Sequence, residues 1–398
     1  MRNVKERDAW ITTFTPNWST AVKCSIEFMT DVIRSRSGRE QRHSIRQVPR
    51  IGIEFSASMT QARLQVLRAE IAHRQGQQFA AKTPWRSIRL AQSADEGDTV
   101  IEVEDVPFWV QPMTKLVLED LTSKSLVTVQ SVNGNDVTLD APLSFDFNAA
   151  HCRVHETAWY RLPDEIQFST PIDNLITVGI QLERVPDEQP VIFKPQNRPQ
   201  YLGYDLWFET PNWSSTPSIT IGRERETFDP GIHRNDVFEP NAYSQMTYGF
   251  SRYALDAEKA EDAIGFFADK LGRRTAFWAP ELLKTFDILG RIGNQRIRVP
   301  GTDFRLAFEG DAVYDRMIHL RPDGTYQINR VIEYETDNDE TIVRFQNNWQ
   351  QQIGPQSKVR WLVLKRFAAD QITPEWPTTT VSKIQMAMAS LRSDEATP

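Results

Sequence analysis

The sequence Thr15-Pro16-Asn17-Trp18-Ser19 returns as Thr210-Pro211-Asn212-Trp213-Ser214, 195 positions later in a chain of 398 residues. Three further matches follow in the same order and at almost the same spacing, namely Phe55-Ser56 with Phe250-Ser251, Gly76 with Gly272, and Pro84 with Pro280. One short identity can arise by coincidence, but four at a nearly constant offset indicate a tandem duplication of a unit of about 190 residues. The chain is therefore expected to contain the same fold twice.

The composition is that of a globular protein. Hydrophobic residues make up 40% and charged residues 25% of the chain, which argues against wholesale disorder. The net charge of −7 provides no general attraction to nucleic acid or to anionic lipid. No apolar run is long enough for a membrane-spanning helix, and residues 1–10 lack the apolar run of a secretory signal. We expect a protein that is made in the cytoplasm, does not bind nucleic acid and does not span a membrane.

Arginines and cysteines are unevenly placed along the chain. Six arginines fall within 17 positions: Arg34, Arg36, Arg39, Arg42, Arg46 and Arg50. Because Glu40 and apolar residues interrupt them, this stretch is interpreted as a solvated or interface-pairing strand. The only two cysteines are Cys24 and Cys152, and the repeat gives them no reason to be neighbours. The sequence therefore predicts no disulfide framework.

Each copy contains β-strand signals followed by one amphipathic helix. Alternate residues of the segment 51–55 are apolar, as in a half-buried strand. In the first copy Ser58 or Thr60 can cap a helix, and Asp256 can cap the helix of the second copy. The apolar positions of the two helices are Leu64, Leu67 and Ile71 in the first, and Ala260, Ala263, Ile264, Phe267 and Leu271 in the second. After each helix, a glycine and a later proline predict an edge strand that ends at Pro84 or Pro280.

Between the helix and the closing strands, the first copy contains the pattern of a small β module. Short alternating strands surround the turn signal Asn133-Gly134. The matching region of the second copy, residues 298–348, has a comparable hairpin at Asp323-Gly324. The closing segment Tyr160–Ile166 resembles Arg366–Ile372, which makes Asp164 the counterpart of Asp370.

These signals predict a mainly β (α+β) fold. It consists of two tandemly repeated β-sandwich or β-barrel-like units, each with one packed helix, and a small β-barrel-like insertion in the first. We assign residues 1–85 and 158–187 to the first unit, 86–157 to the insertion, 188–205 to a linker that is part of a proline-rich segment, and 206–393 to the second unit. The tail Ser393–Pro398 is expected to be frayed.

The sequence predicts no catalytic, cofactor-binding or metal-binding residues. Phosphate-binding Gly-rich loops, nucleophile turns, metal helices and paired Cys-x-x-Cys motifs do not occur in it. The strongest metal candidate is His151-Cys152-Arg153-Val154-His155, but on a strand both histidines point away from Cys152. We interpret the two histidines as polar residues at a strand end, and we expect no cofactor.

The remaining candidates also have structural interpretations. The acidic pairs Glu102/Glu104 and Asp337/Asp339-Glu340 lie in alternating strands or polar turns, where a solvated face is the ordinary explanation. Asp164 and Asp370 occupy equivalent places, which favours a turn cap or a partner of arginine over a catalyst. Tryptophan rings can stack on sugars, but Trp18 and Trp213 belong to the repeated phrase and are interpreted as structural anchors. We therefore expect that the protein is not an enzyme.

Part of the second copy resembles tail-tip proteins of long-tailed bacteriophages and gene-transfer agents, in particular the distal tail and minor tail families. The resemblance lies in Glu224-Arg225-Glu226, Phe250-Ser251-Arg252-Tyr253 and the helix with its Gly-Arg turn and aromatic strand, residues 263–278. The segment Asn133–Leu143 also resembles small β modules of phage virion proteins. The chain departs from the ordinary distal tail pattern because the unit is doubled and because the first copy has Gly76-Gln77-Gln78 in place of Gly-Arg-Arg.

The resemblance implies a virion structural protein at the tail tip or baseplate. Such a protein forms a homo-oligomeric ring, a trimer or a hexamer, that joins the tail tube to the tip hub. Its expected partners are other copies of itself, the tail tube protein and the hub or tip proteins, with the tape measure protein and tail fibres as further candidates. Two alternatives stay open. The insertion at 86–157 can serve as a receptor- or carbohydrate-binding module, and a polysaccharide-degrading enzyme would require two convergent carboxylates in a groove.

Overall fold

A computed structural model describes residues 15–74, 78–120, 123–162, 166, 168–172, 175–186, 191–209, 211–213, 215–222, 226–228, 231, 236–238, 244–282, 286–350, 353–355 and 357–396. We call residues 15–186 the first copy and residues 206–396 the second copy.

The chain is mainly β, as the sequence predicts. The first copy contains, in chain order, β1 (Val22–Arg34), β2 (Glu40–Met59), α1 (Gln61–Arg74), β3 (Phe79–Arg89), β4 (Val100–Glu102), β5 (Lys115–Glu119), β6 (Lys124–Asn133), β7 (Asp136–Leu139), β8 (Arg153–Arg161), β9 (Phe168–Ile172) and β10 (Leu175–Arg184). The rest of the chain contains β11 (Gln200–Tyr201), β12 (Tyr204–Asp205), β13 (Ser218–Gly222), β14 (Glu226–Phe228), β15 (Asp236–Phe238), β16 (Gln245–Ala254), α2 (Ala257–Asp269), β17 (Phe277–Pro280), β18 (Gly290–Ile292), β19 (Arg296–Pro300), α3 (Asp303–Phe308), β20 (Arg316–Leu320), β21 (Tyr326–Asp337), β22 (Glu340–Phe345), β23 (Lys358–Phe367), β24 (Gln371–Ile372), β25 (Glu375–Trp376) and β26 (Ser382–Ser390).

The two copies share one pattern of antiparallel strand pairing. β2 pairs with β1 on one side and with β10 on the other, and β3 pairs with β8. In the second copy β16 pairs with β13 and β26, and β17 pairs with β23. The pairing register is also the same. Lys23 lies opposite Glu54, and the residues 195 positions later, Ser218 and Gly249, lie opposite each other. The repeated sequence therefore corresponds to a repeated topology.

One helix follows the same strand in each copy. α1 begins directly after β2, and α2 begins soon after β16. The predicted cap of α2 is confirmed, because the carboxylate of Asp256 accepts a hydrogen bond from the Lys259 amide at 2.6 Å. In α1 the apolar positions Leu64 and Leu67 are buried, and the side chain of Ile71 lies outside the described part of the chain.

Both copies carry an inserted β module, whereas the sequence predicts a separate module only in the first. In the first module the strands pair in the order β4–β7–β6–β5, and β5 pairs with β8. In the second module the order is β19–β22–β21–β20, and β20 pairs with β23, while β18 adds one strand beside β19. Each module has its own hydrophobic cluster, apart from the main core.

The hairpin turns of the two modules correspond differently from the sequence prediction. β6 and β7 are joined by Gly134 and Asn135, as Asn133-Gly134 predicts. The counterpart in the second module is Asn338-Asp339, which joins β21 to β22, whereas Asp323-Gly324 joins β20 to β21. The first loop residue has a positive φ in both counterparts, 61° at Gly134 and 53° at Asn338. Asparagine tolerates this backbone region, so the second turn does not need the glycine that sequence patterns look for.

Two expectations about where elements end are wrong. β3 does not end at Pro84 but continues to Arg89, because its register with β8 is interrupted between Lys82 and Ser87. Such an irregularity accommodates a proline, which has no N–H to donate to the neighbouring strand. The residues from Ser393 onward are not frayed as far as Ala396. They form a 3₁₀ helix, and the Ala396 side chain is buried.

The segment predicted as a linker packs along α2. Lys194 forms an ion pair with Glu258 at 2.6 Å, and Arg198 forms one with Asp262 at 2.5 Å. A Cβ atom on Gly265 would lie only 2.5 Å from the carbonyl oxygen of Lys194. Glycine is therefore required in the middle of α2 for this close approach of the segment.

The main hydrophobic core is shared by the two copies. It contains Ile26 and Phe28 of β1 together with Phe267 of α2 and Phe367 of β23. The ring centroids of Phe28 and Phe267 are 5.8 Å apart. Burial of apolar side chains from both copies in one cluster joins the copies far more strongly than a chain connection alone would.

Candidate assembly interface

The edge of β1 is paired with the second copy. Val22 lies opposite Trp376 of β25, and Ile26 lies opposite Ile372 of β24, so an antiparallel ladder crosses from one copy to the other. Between these pairs, the Cys24 amide donates to the Pro374 carbonyl at 2.9 Å. The outer edge of the first sheet is therefore covered by the closing segment of the second copy.

Asp370 holds the next part of this contact together. Its carboxylate accepts hydrogen bonds from the Thr30 amide at 2.8 Å, the Arg273 amide at 2.9 Å and the Arg273 Nε at 3.1 Å. Arg273 Nη2 in turn donates to the Thr30 carbonyl at 2.7 Å. The sequence prediction of an arginine partner is confirmed for Asp370, and its predicted counterpart Asp164 lies outside the described residues.

Glu40 forms a second ionic contact between the copies. Its carboxylate accepts a hydrogen bond at 2.6 Å from Nε and another at 3.0 Å from Nη2 of Arg366, and Arg34 Nη2 donates to it at 2.8 Å. Burial favours the neutral carboxyl, but the hydrogen bonds and charges of the two arginines outweigh it and lower the pKa of Glu40 to about 2. Glu40 therefore remains an anion at all physiological pH values.

The other arginines of this stretch extend the contact toward the end of the second copy. Arg39 forms an ion pair with Asp394 at 2.9 Å, and Arg42 forms one with Glu395 at 3.3 Å. This outcome matches the interpretation of the arginine-rich stretch as an interface-pairing strand. The contact joins the first copy to the second copy within one chain, and no nucleic acid is needed to explain these charges.

A third ionic group, also buried, is centred on Arg86 of β3. Its guanidinium donates to Glu156 of β8 at 3.0 Å, to Glu261 of α2 at 2.7 Å and to the Ile192 carbonyl at 3.1 Å. Burial disfavours the charged guanidinium, but the two carboxylates outweigh this and raise the pKa of Arg86 above its ordinary value. The group joins the first copy, the second copy and the predicted linker, residues 188–205, at one point.

Trp85 reinforces the same point with its indole. The ring stacks on Trp376 with a centroid separation of 5.0 Å, and Nε1 donates to Glu261 at 3.1 Å. Sequence reasoning did not single out Arg86 or Glu261. The available signal is the glutamate beside the apolar stripe of α2, because a charge in such a place requires a buried partner.

Among the residues that the structure describes, the corresponding edge of the second copy has no paired strand. Ile221 of β13 lies 195 positions after Ile26, and the side chain of Ile221 is 62% exposed whereas that of Ile26 is 2% exposed. In the described residues, β13 pairs only with β16. The small β14–β15 hairpin continues this region and exposes Phe228 and Val237. The second copy thus presents an uncovered strand edge with apolar side chains.

The tryptophan of the repeated phrase has a positive φ in both copies. Trp18 has a φ of 55° and Trp213 a φ of 58°, a region that bulky residues rarely adopt. The backbone amide of Asn17 donates to the Ser56 carbonyl at 2.9 Å, and the Trp18 side chain packs partly against the main core. The interpretation of Trp18 as a structural anchor is consistent with these contacts, while the Trp213 side chain is mostly exposed.

The residues of the strongest metal candidate do not converge. Cys152 is buried in the first module, where burial raises the pKa of its thiol to about 12, while His151 is exposed. Burial also lowers the pKa of His155 to about 4, so its imidazole is neutral at pH 7. Within the described part of the chain, no group of three His, Cys, Asp or Glu side chains is placed to hold a metal ion.

The acidic pairs are engaged in surface contacts. Glu102 accepts a hydrogen bond from Gln92 at 2.5 Å, and Glu340 forms an ion pair with Arg298 at 3.5 Å. Cys24 and Cys152 are free thiols, as the sequence predicts. Among the described residues, none of the helices has the length and apolar character that a membrane crossing requires.

Comparison with known proteins adds no relative. The chain matches no model of a known protein family and no curated protein sequence.

Proposed function

We propose that the protein is a structural subunit of a long-tailed bacteriophage virion or a related particle. In this proposal it is a distal tail or tail-tip protein of the baseplate, without enzymatic activity, and it forms a homo-oligomeric ring that joins the tail tube to the tip hub. One observation carries the proposal. The two copies are joined side by side by strand pairing, and in the described part of the chain no strand covers the equivalent edge of the second copy. Such edges are typical of proteins that assemble from repeated units.

The duplication suggests a position within the tail. In the family that the sequence resembles, tail tubes have sixfold symmetry and tips are usually threefold. Three chains of two units present six similar units, which fits a protein located where the symmetry changes. The mass of the assembled ring tests this position, because three chains weigh three times 45.9 kDa and six chains weigh twice as much.

Particle labelling tests the assignment itself. We expect antibodies raised against the purified protein to mark one end of the tail in electron micrographs of particles from the producing host. We also expect disruption of the gene to leave particles without functional tails. Antibody signal on heads, or a protein that is absent from purified particles, would contradict the proposed function.

A further inference from the structure

We propose that β13 of one chain pairs with Ile166 and the neighbouring strand β9 of another molecule of the same protein. This contact repeats, between chains, the pairing of β1 with β24 and β25 within the chain. The inference deepens the proposed function, because it names the surface through which the subunits join. The partner of β13 follows from the contact within the chain. There β1 pairs with β24 and β25 of the second copy, and Ile166 lies in the matching closing segment of the first copy.

The residues that would pair between chains correspond to those that pair within the chain. Ile221 follows Ile26 by 195 positions, in strands with the same register to their neighbours. Ile166 precedes Ile372 by 206 positions, in the matching closing segments of the two copies. The pair Ile26–Ile372 is thus represented a second time as Ile221 and Ile166. An isoleucine at all four positions is expected if both pairs fill the same kind of contact.

Exposure distinguishes the paired set from the unpaired set. Ile26 and Ile372 are buried in the main core, whereas Ile221 is 62% exposed. On the acceptor side, Ile166 is half-buried, and Phe168 of the adjacent β9 is exposed. β9 pairs only with β10 among the described residues, so its other edge is open to a further strand. A strand edge and an exposed apolar side chain are therefore present on both halves of the contact.

The contact joins two different surfaces and is therefore head to tail. β13 belongs to the second copy and Ile166 with β9 to the first, so each chain offers one donor edge and one acceptor edge. Head-to-tail contacts form a closed ring when the rotation between subunits divides a full turn, and otherwise form a filament. The rotation and translation that relate the first copy to the second within a chain are expected to relate neighbouring chains as well.

Two variants, each with one added cysteine, test the pairing. One carries Ile221→Cys and the other carries Ile166→Cys, and both native cysteines are buried. Residues directly opposite each other in an antiparallel pair lie within the Cα separation that a disulfide spans. We expect mild oxidation of the mixture to give disulfide-linked dimers of the two chains, and neither protein alone to give them. A mixture of Ile166→Cys with Ile332→Cys is the control, because Ile332 is also exposed but lies on β21 in the second module.

The outcomes are separable. Dimers in the mixture but not in the control support the pairing, while equal amounts in both overturn it. As a second measurement, Ile221→Asp is expected to weaken self-association at least about tenfold in sedimentation experiments, with no loss of circular dichroism, while Ile332→Asp has no effect. Wild-type protein that remains monomeric at high concentration would overturn the inference. A monomeric protein would overturn the pairing only, because the tail assignment is tested separately by particle labelling. Labelling without signal on the tail would overturn the tail assignment only.

Discussion

β1 and β13 are the same strand in two environments. Both pair with the following long strand in an identical register, and both place an isoleucine at the equivalent position. β1 continues into a ladder with the second copy, while β13 ends the sheet among the described residues. The difference shows that the repeated unit does not by itself determine which of its edges is buried. Whether an edge is buried depends on the neighbouring unit, and the chain supplies only one neighbour.

The two helices also differ in how much of their surface is buried. α2 is buried along most of its length because Glu261 and Ile264 face the first copy while Phe266 and Phe267 pack with the aromatic residues of the second. In α1 the described side chains alternate between the buried leucines and exposed polar residues. A helix that is apolar on several sides requires partners on several sides. α2 has them within the chain.

The largest effect is expected from placing a charge at the two equivalent isoleucines. Ile26→Asp buries an unpaired carboxylate in the shared core and should lower the free energy of unfolding by more than about 4 kcal/mol. Ile221→Asp should change it by less than about 0.5 kcal/mol in the monomer, because its side chain is exposed. Urea denaturation at low protein concentration measures both. Equal losses for the two variants would show that the two strands are not in different environments.

The next largest effect concerns the ionic group that joins α2 to the first copy. Glu261→Gln leaves Arg86 with one carboxylate in a buried site and should cost about 3 kcal/mol of unfolding free energy. Glu258→Gln, on the same helix, is the matched control. It removes only a surface ion pair with Lys194 and should cost less than about 0.5 kcal/mol. Similar small losses for both variants would mean that the interface does not depend on this group.

A smaller effect is expected at the turn after α2. Gly272 has a φ of 63°, and a Cβ atom there would lie 2.6 Å from Oδ1 of Asp370. Gly272→Ala should therefore lower the free energy of unfolding by about 2 kcal/mol and disturb the contact of Asp370 with Thr30. Gly324→Ala separates the cost of the positive φ from the cost of the close approach to Asp370. Gly324 also has a positive φ, but a Cβ atom there would face open space. If both variants lose the same amount in thermal unfolding, the close approach to Asp370 has no consequence.

The smallest effect is a dependence on pH. The folded pKa of Glu40 lies near 2, below its ordinary value of 4.5, so the stability that Glu40 contributes is present above pH 4.5 and is lost as the pH falls toward 2. From pH 5 to pH 3.5 this loss should be about 1 kcal/mol. Glu40→Gln should unfold more easily than the wild type above pH 4.5, this difference should shrink as the pH falls toward 2, and the variant should lack this part of the pH dependence. Parallel stability curves for the wild type and Glu40→Gln over this range would contradict the assignment.

The sequence predicts features that depend on local pattern. The strand of residues 51–55, the cap at Asp256 and the hairpin at Asn133-Gly134 are found where hydrophobic alternation and turn chemistry place them. The arginine-rich stretch, predicted as a solvated or interface-pairing strand, runs from β1 into β2 and forms ion pairs with the end of the second copy. These signals depend on neighbouring residues.

Features that depend on distant partners could not be predicted. Arg86 and Glu261 are 175 positions apart, and nothing near either residue in the sequence identifies the other. The second inserted module was missed because its counterpart turn uses Asn338-Asp339 and lacks glycine. The pairing of β1 with β24 requires the relative position of the two copies, which the duplication itself does not specify.

A reconstruction of the assembled protein by electron cryomicroscopy tests the central claim most directly. The claim is that two equivalent units within the chain are joined by a contact that recurs between chains. We predict that the step from the first to the second copy superposes on the step from one chain to the next, with Ile221 beside Ile166 as Ile26 is beside Ile372. An assembly in which the β13 edge faces solvent, or in which chains meet through another surface, would contradict the account.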